Sequence, residues 1–181
     1  SGALHIPVVW NTSGYESAQT LALLEGLVDI YLVDFKYSNP TTAQRLSHAS
    51  DYVGVALVAI EQMIEQTGAP RSSEEGYLER GVIVRHLVLP GYVDDSLAAL
   101  DLLYPRIRGR ALLSIMNQFT IIDEAFDVRA YGLERAVSDE AYERVLDHAD
   151  ELGFEDYFWQ EGGAASESFV PAFDGTGVLV P

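Results

Sequence analysis

An apolar segment of the sequence, VDIYLVDFKY at positions 28–37, carries two oppositely charged residues near its end, Asp34 and Lys36. Side chains alternate between the two faces of a strand, so this pair would share one face, above apolar residues. Lysine can bind a carboxylate, and aspartate can bind an amine or ribose hydroxyl groups. A pair that served stability alone would gain little, because desolvation offsets much of the Coulomb attraction. The pair favours a ligand-binding role, and a plain ion pair at the rim of a sheet is the alternative.

Polar residues also accompany three other apolar segments. They are Asn11, Thr12 and Ser13 after IPVVW at 6–10, Arg85 within GVIVRHLVL at 81–89, and Asn117 and Gln118 in ALLSIMNQ at 111–118. Parallel α/β proteins bind ligands at the carboxyl ends of their strands. We therefore expect the four segment ends to form one polar rim, with Asp34, Lys36 and Arg85 as its charged members.

The elements that would position this rim are four strands and the helices between them. The apolar segments at 6–11, 28–35, 81–89 and 111–118 are typical of strands, and the intervening segments space their apolar residues as helices do. This alternation predicts an α/β fold with parallel strands and right-handed crossovers. The near-continuous Val, Ile and Leu of the second and third strands predict that both of their faces are covered.

Single residues predict where several elements begin and end. Pro105 should stop or kink the helix that starts near Asp94. Ser138 is the predicted N-cap of a helix over 138–152, and Gly153 is its C′ residue. The polar segment 67–80 predicts an exposed excursion or a small hairpin.

Composition narrows the functional classes. The chain has 181 residues and a formal net charge of −17, which makes nucleic acid an improbable partner. It has no cysteine, which excludes disulfides, thiolate catalysis and thiolate-held metals within it. The four histidines show no metal-ligand spacing, so we predict no metal site. No apolar run approaches a membrane span and no signal peptide is recognisable, so we expect a cytoplasmic protein that does not enter a membrane.

The chain divides into two parts by composition. Residues 1–160 carry the strand and helix patterns. Residues 161–168, EGGAASES, predict a flexible link, and FVPAFDGTGVLVP at 169–181 predicts an extended tail that docks on the rest of the chain.

Four segments, in this order, resemble the later half of the radical S-adenosylmethionine enzymes of the glycyl-radical activase type. They are WNTSGY (10–15), DIYLVDFKY (29–37), VRHLVLPG (84–91) and FVPAFDGTGV (169–178). Within that family, the resemblance is to homologs of the pyruvate formate-lyase activating enzyme. It implies an incomplete parallel (βα) barrel of the radical S-adenosylmethionine, TIM-like type, with about four strands, outer helices and an extended C-terminal tail.

The resemblance also implies a cofactor, S-adenosylmethionine, and a polypeptide substrate. Asp34 and Lys36 would lie near the cofactor, and Arg85 near its methionyl end or the substrate. The residues implied to bind the cofactor are Asn11, Thr12, Ser13, Asp34, Lys36, Arg85 and Gln118. Gln118 would stand where the activase has a histidine-containing turn. No residue of the chain is assigned a catalytic role.

One part of the family pattern is absent from this sequence. The family holds a [4Fe–4S] cluster through a Cys-x3-Cys-x2-Cys loop and continues with a Gly-Gly-Glu turn, and this chain contains neither. Thiolates are the ligands such a cluster needs, so it could form only in a longer parent. We expect this chain to be the C-terminal two thirds of a parent oxidoreductase, inactive by itself.

Two other functions stay open at this point. The chain could be a natural, cysteine-free remnant that binds a ligand or a protein without catalysis. It could also be a cofactor-independent hydrolase or lyase, with Lys36 as a Schiff-base nucleophile. Whether the chain is a piece of a longer parent or a natural remnant, the resemblance implies that its first strand lacks an outer neighbour, and an open edge is a pairing hazard. We expect the tail around Phe169–Phe173, or a second copy in a homodimer, to cover that edge.

Overall fold

The computed structural model describes residues 6–119, 127–155 and 157–160. Its strands are β1 (Val9–Thr12), β2 (Ile30–Asp34), β3 (Arg71–Ser72), β4 (Leu78–Leu87), β5 (Leu112–Met116) and β6 (Tyr157–Phe158). Its helices are α1 (Ala18–Leu24), α2 (Pro40–Ser47), α3 (Tyr52–Thr67), α4 (Val93–Ile107), α5 (Val128–Tyr131) and α6 (Asp139–Leu152). The tail at 161–181, and with it the expected covering by Phe169–Phe173, lies outside the described residues.

Five parallel strands form the main sheet, in the order β1-β2-β4-β5-β6. This confirms the α/β class and the parallel pairing of the four predicted strands. The fifth strand, β6, was not predicted from its sequence. Strand β3 pairs antiparallel with β4, which confirms the small hairpin between 67 and 80. The register places Asp34 of β2 beside Arg85 of β4, at the carboxyl ends of two neighbouring strands.

The two faces of the sheet differ in burial. One face packs against the helices, and its buried side chains belong to the main hydrophobic core; they include Tyr31, Val33, Val82, Val84 and Leu113. Burying a side chain of this size contributes about 1.5–3 kcal/mol. The opposite face, with Leu32, Asp34, Ile83, Arg85, Leu112 and Met116, is only half-buried. Among the described residues, the expectation that β2 and β4 are covered on both faces is therefore met on one face only.

The helix ends predicted from the sequence are observed for α6, whereas α4 continues beyond its proline. In α6 the Ser138 hydroxyl accepts a hydrogen bond from the Ala141 amide at 3.2 Å, and Gly153 ends the helix with φ +88°. Pro105 was predicted to stop or kink its helix; it does not stop it, because α4 continues to Ile107. The proline lies in the last turn, where the loss of one amide donor disturbs little of the remaining helix.

Large apolar side chains are exposed around β1 and α1. Ile6, Val9 and Trp10 are exposed before and within β1, and Leu23 and Leu27 are exposed in and after α1. No strand among the described residues pairs with this side of β1. We call this surface the β1–α1 edge.

Over the three described ranges, no helix has both the length and the apolar character needed to cross a bilayer.

Candidate functional site

The carboxyl ends of β1, β2 and β4 bring four of the seven predicted residues into contact. Lys36 Nζ lies 2.7 Å from Asp34 Oδ2, and Arg85 Nη2 lies 2.6 Å from Asp34 Oδ1. Arg85 Nη2 also donates to Asn11 Oδ1 at 2.6 Å. We call Asn11, Asp34, Lys36 and Arg85 the rim cluster. Its side chains lie on the half-buried face of the sheet, at the end where parallel sheets bind ligands.

The rim cluster is partly shielded from water. The exposed fraction of the side chain is 18% for Asp34, 24% for Arg85 and 37% for Lys36. With all three groups ionised, two cations face one carboxylate, so the cluster carries one net positive charge. That charge stands out in a chain whose net charge is −17. A carboxylate or another small anion would balance it.

Hydrogen bonding within the cluster is incomplete. Arg85 Nη2 and Asp34 Oδ1 are at ion-pair distance, but their alignment is not that of a hydrogen bond. Among the described residues, neither Asp34 Oδ1 nor Arg85 Nε has a hydrogen-bond partner, although both atoms are buried. Buried polar atoms are satisfied in the great majority of cases, and exceptions mark strain or a missing partner. Within the described residues, the hydrogen bonding of the rim cluster therefore stays incomplete at Asp34 Oδ1 and Arg85 Nε.

Buried groups support the strand end of β2 from the other face of the sheet. The Tyr52 hydroxyl donates toward the carbonyls of Ser13 and Asp34, each at 2.9 Å, and accepts from the Lys36 amide at 3.0 Å. Gly14 packs tightly against the same point, since a Cβ there would lie 2.5 Å from the Asp34 carbonyl oxygen. Its φ of +81° also suits glycine. Sequence reasoning missed Tyr52, because no local pattern marks it.

His86 supports the next residue of the same strand end. It is buried on the face opposite Arg85, and its Nδ1 lies 2.7 Å from the Phe35 carbonyl oxygen. Burial lowers its pKa below the ordinary value of 6.5, against smaller opposing effects from that carbonyl and from Asp95; Lys36 lowers it further. The neutral ring therefore donates from Nδ1 to Phe35 and acts as a structural support.

The other three predicted residues lie nearby in different roles. The Thr12 hydroxyl donates to Glu16 Oε1 at 2.6 Å and accepts from the Gly14 amide at 3.1 Å, so it is engaged within its own turn. The Ser13 carbonyl accepts from Tyr52, and the residue itself is exposed. Gln118 is half-buried at the same edge of the sheet, two residues beyond β5. Cofactor binding by any of the seven residues stays a prediction.

A metal centre has no visible basis in the described parts of the chain. Within residues 6–119, 127–155 and 157–160, no three His, Cys, Asp or Glu side chains are grouped so that they could hold a metal ion.

The fold and the site define an α/β protein whose parallel sheet carries a partly buried ionic cluster at its strand ends. The crystal structure of a domain of pyruvate-formate lyase-activating enzyme from Bacteroides vulgatus has a similar fold, with a TM-score of 0.58. The match covers 84% of this chain and 80% of that one, at 12% sequence identity. At that identity the likeness shows the fold alone, and it agrees with the resemblance found in the sequence.

Comparison of sequences gives one curated relative. The uncharacterized protein MJ0674 of Methanocaldococcus jannaschii is 28% identical over 152 residues, which is 83% of this chain and 40% of that protein. The chain thus spans about two fifths of the length of the curated relative it matches. No family model matches the chain.

Proposed function

We propose that this chain is the C-terminal part of a radical S-adenosylmethionine protein of the glycyl-radical activase type, and that its rim cluster contacts S-adenosylmethionine. The observation that carries the proposal is the cluster itself. Asp34, Lys36 and Arg85 meet at the carboxyl ends of neighbouring parallel strands, on the half-buried face of the sheet, where two cations face one carboxylate. The likeness of the fold to an activating-enzyme domain supports the same reading.

The chemistry of the four side chains suits a nucleoside amino acid. Lys36 and Arg85 can bind its carboxylate, since both are cations and together they outnumber Asp34. Asp34 and Asn11 can accept hydrogen bonds from its amino group or ribose hydroxyls. The ion pair between Lys36 Nζ and Asp34 favours this binding role over a Schiff base, because Schiff-base formation needs the uncharged amine.

The iron–sulfur cluster of the family does not fit the residues of this chain. Such clusters are held by cysteine thiolates, and none of the 181 residues is a cysteine. We therefore propose a binding role for this chain and a redox step that takes place only in a longer parent. The polypeptide substrate that an activating enzyme acts on would belong to that parent as well.

The β1–α1 edge supports the incomplete barrel in this proposal. Apolar residues are exposed both on β1 and in and after the neighbouring helix α1. A further parallel strand with its helix would cover both layers at once. The match to a relative of more than twice this length is consistent with such an addition. A second copy of the chain could also cover the edge, and sedimentation velocity separates the two, since only self-association depends on the concentration of this chain.

Calorimetry with S-adenosylhomocysteine tests the binding role. We expect weak, enthalpically detectable binding to the wild type and its loss in Asp34→Asn. Glu79→Gln is the matched control, because Glu79 forms an exposed ion pair with Arg71, 3.6 Å away, outside the rim cluster. Adenosine, which lacks the amino acid portion, should bind more weakly than S-adenosylhomocysteine. Equal affinity for both ligands, or binding that survives Asp34→Asn, would contradict the proposed contacts.

The gene tests the parent enzyme separately. The reading frame upstream of the Ala3 codon should encode Cys-x3-Cys-x2-Cys followed by a Gly-Gly-Glu turn. A reading frame without these motifs would contradict the proposed parent enzyme. The chain would then be a natural remnant that binds a ligand without catalysis.

A further inference from the structure

A buried phenol joins two strand ends of the site, those of β1 and β2. Tyr52, the first residue of α3, is 3% exposed. Its hydroxyl donates toward the Ser13 and Asp34 carbonyls and accepts from the Lys36 amide. The single proton of the phenol thus serves two carbonyls that belong to different strand ends, and its oxygen holds a third backbone group.

The aromatic ring of Tyr52 is fixed from several sides. The ring centroids of Tyr37, Tyr15 and Phe35 lie 5.4, 6.0 and 6.3 Å from its own. Aromatic pairs at these separations are stabilising and restrict the ring. The hydroxyl can therefore not leave the junction without disturbing the packing around it.

The backbone of Lys36 depends on this hydroxyl. Strand β2 ends at Asp34, and the Phe35 amide still donates to the Arg85 carbonyl at 2.8 Å. One residue later the Lys36 amide bonds to the Tyr52 hydroxyl instead of to a strand. The position of Lys36 relative to Asp34 and Arg85 is thus set by a side chain of α3.

We infer that Tyr52 is the positioning residue of the rim cluster: its hydroxyl locks the Asp34–Lys36 segment against the turn at Ser13, so that one ligand can be held by both strand ends. The choice of ligand rests on the proposed function, but the positioning does not. Removal of the hydroxyl frees the Lys36 backbone, and Nζ is then no longer held against Asp34.

The chain contains a matched control for this hydroxyl. Tyr142 is 5% exposed, donates from its hydroxyl to the Ile115 carbonyl at 2.7 Å, and accepts from the Gln160 amide at 3.0 Å. It supports β5 and contacts none of the rim cluster residues through its hydroxyl. Tyr52→Phe and Tyr142→Phe therefore remove similar buried hydrogen bonds at different strand ends.

Two measurements on the folded variants test the positioning directly. Amide hydrogen exchange at Lys36 should be faster in Tyr52→Phe and unchanged in Tyr142→Phe. Acetylation of the Lys36 amine at neutral pH should also be faster in Tyr52→Phe alone, because Nζ has lost its fixed place beside Asp34. A merely structural hydroxyl would lower the stability of both variants and leave Lys36 as it is in the wild type, which would overturn the inference.

Ligand affinity gives the third measurement. Tyr52→Phe should weaken S-adenosylhomocysteine binding by about tenfold, the scale of one lost hydrogen bond, and Tyr142→Phe by less than about twofold. Unchanged affinity in a folded Tyr52→Phe would refute the inference. If the wild type itself does not bind, the proposed binding role of the rim cluster fails, and the two Lys36 measurements still decide the role of Tyr52. If Tyr52→Phe fails to fold, Gly14→Ala provides a second variant, because its Cβ would lie against the Asp34 carbonyl. It should also give faster amide exchange and faster acetylation at Lys36.

Discussion

Replacing Asp34 by asparagine should destabilise the chain much more than a typical loss of an ion pair. Asparagine keeps the shape of the side chain and removes its charge. Lys36 and Arg85 would then face each other without the carboxylate that now lies 2.7 and 2.6 Å from them. Both cations are partly shielded from water, so solvent compensates only in part for the lost partner.

The expected magnitude lies between two limits. Exposed ion pairs contribute about 0.2–1 kcal/mol. Breaking a fully buried pair costs about 3–5 kcal/mol, because a charge is left uncompensated. The side chain of Asp34 is mostly buried, and those of Lys36 and Arg85 are partly exposed. We therefore expect a loss of about 2 kcal/mol in the free energy of unfolding. With a slope of about 2 kcal/mol per molar urea, the unfolding midpoint should fall by about 1 M.

Urea denaturation of Asp34→Asn and Glu79→Gln measures the effect. Both substitutions remove one carboxylate charge, but the Glu79 ion pair is exposed, and its loss should cost less than about 0.5 kcal/mol. Asp34→Asn combined with Arg85→Met should cost less than the sum of the two single changes, because the cation left unpaired by the first is removed by the second. Equal destabilisation by Asp34→Asn and Glu79→Gln would show that the rim cluster is no more than a solvated surface pair.

Three further outcomes are expected. Burial holds the pKa of His86 in the folded chain below its ordinary value of 6.5, so the unfolded chain binds the proton first as the pH falls. The stabilisation should be fully present above pH 6.5, and below it the free energy of unfolding should fall by at most about 1.4 kcal/mol per pH unit. His86→Gln should flatten this slope in urea titrations between pH 5 and 7.5, and an unchanged slope would refute the burial of His86 as its cause. Ser138→Ala should lower the unfolding free energy by about 1 kcal/mol through the lost N-cap of α6, and a calorimetric change near zero would contradict the cap. Val9→Lys should reduce any concentration-dependent association of the chain through the β1–α1 edge, and sedimentation velocity that shows the same association in both proteins would exclude this edge as the interface.

The parallel strands and the rim cluster could be predicted from local patterns. Four apolar segments were long enough to be recognised as strands, and strand alternation placed Asp34 and Lys36 on one face. Arg85 joins them because β2 and β4 are neighbours in register, which the order of the strands along the chain already suggested. These predictions needed only periodicity and the rule that ligands lie at the ends of parallel strands.

The features that were missed depend on contacts distant in sequence or on very short elements. Strand β6 has two residues, too few for any alternation to show, and it forms through pairing with β5. Helix α2 is an exception, because its sequence does contain the signals of a helix start. Asn39 is its N-cap and accepts a hydrogen bond from the Thr41 amide, and Pro40 occupies the first turn. Tyr52 had none, because its role comes from a hydroxyl that reaches backbone atoms of two other segments.

A crystal structure of the chain with S-adenosylhomocysteine would show whether the rim cluster binds the ligand. We expect the ligand on the half-buried face of the sheet, with its carboxylate at Lys36 and Arg85 and its amino group or ribose hydroxyls at Asp34 or Asn11. A ligand bound elsewhere under saturating conditions, or coordinates in which Asp34, Lys36 and Arg85 do not meet, would contradict it.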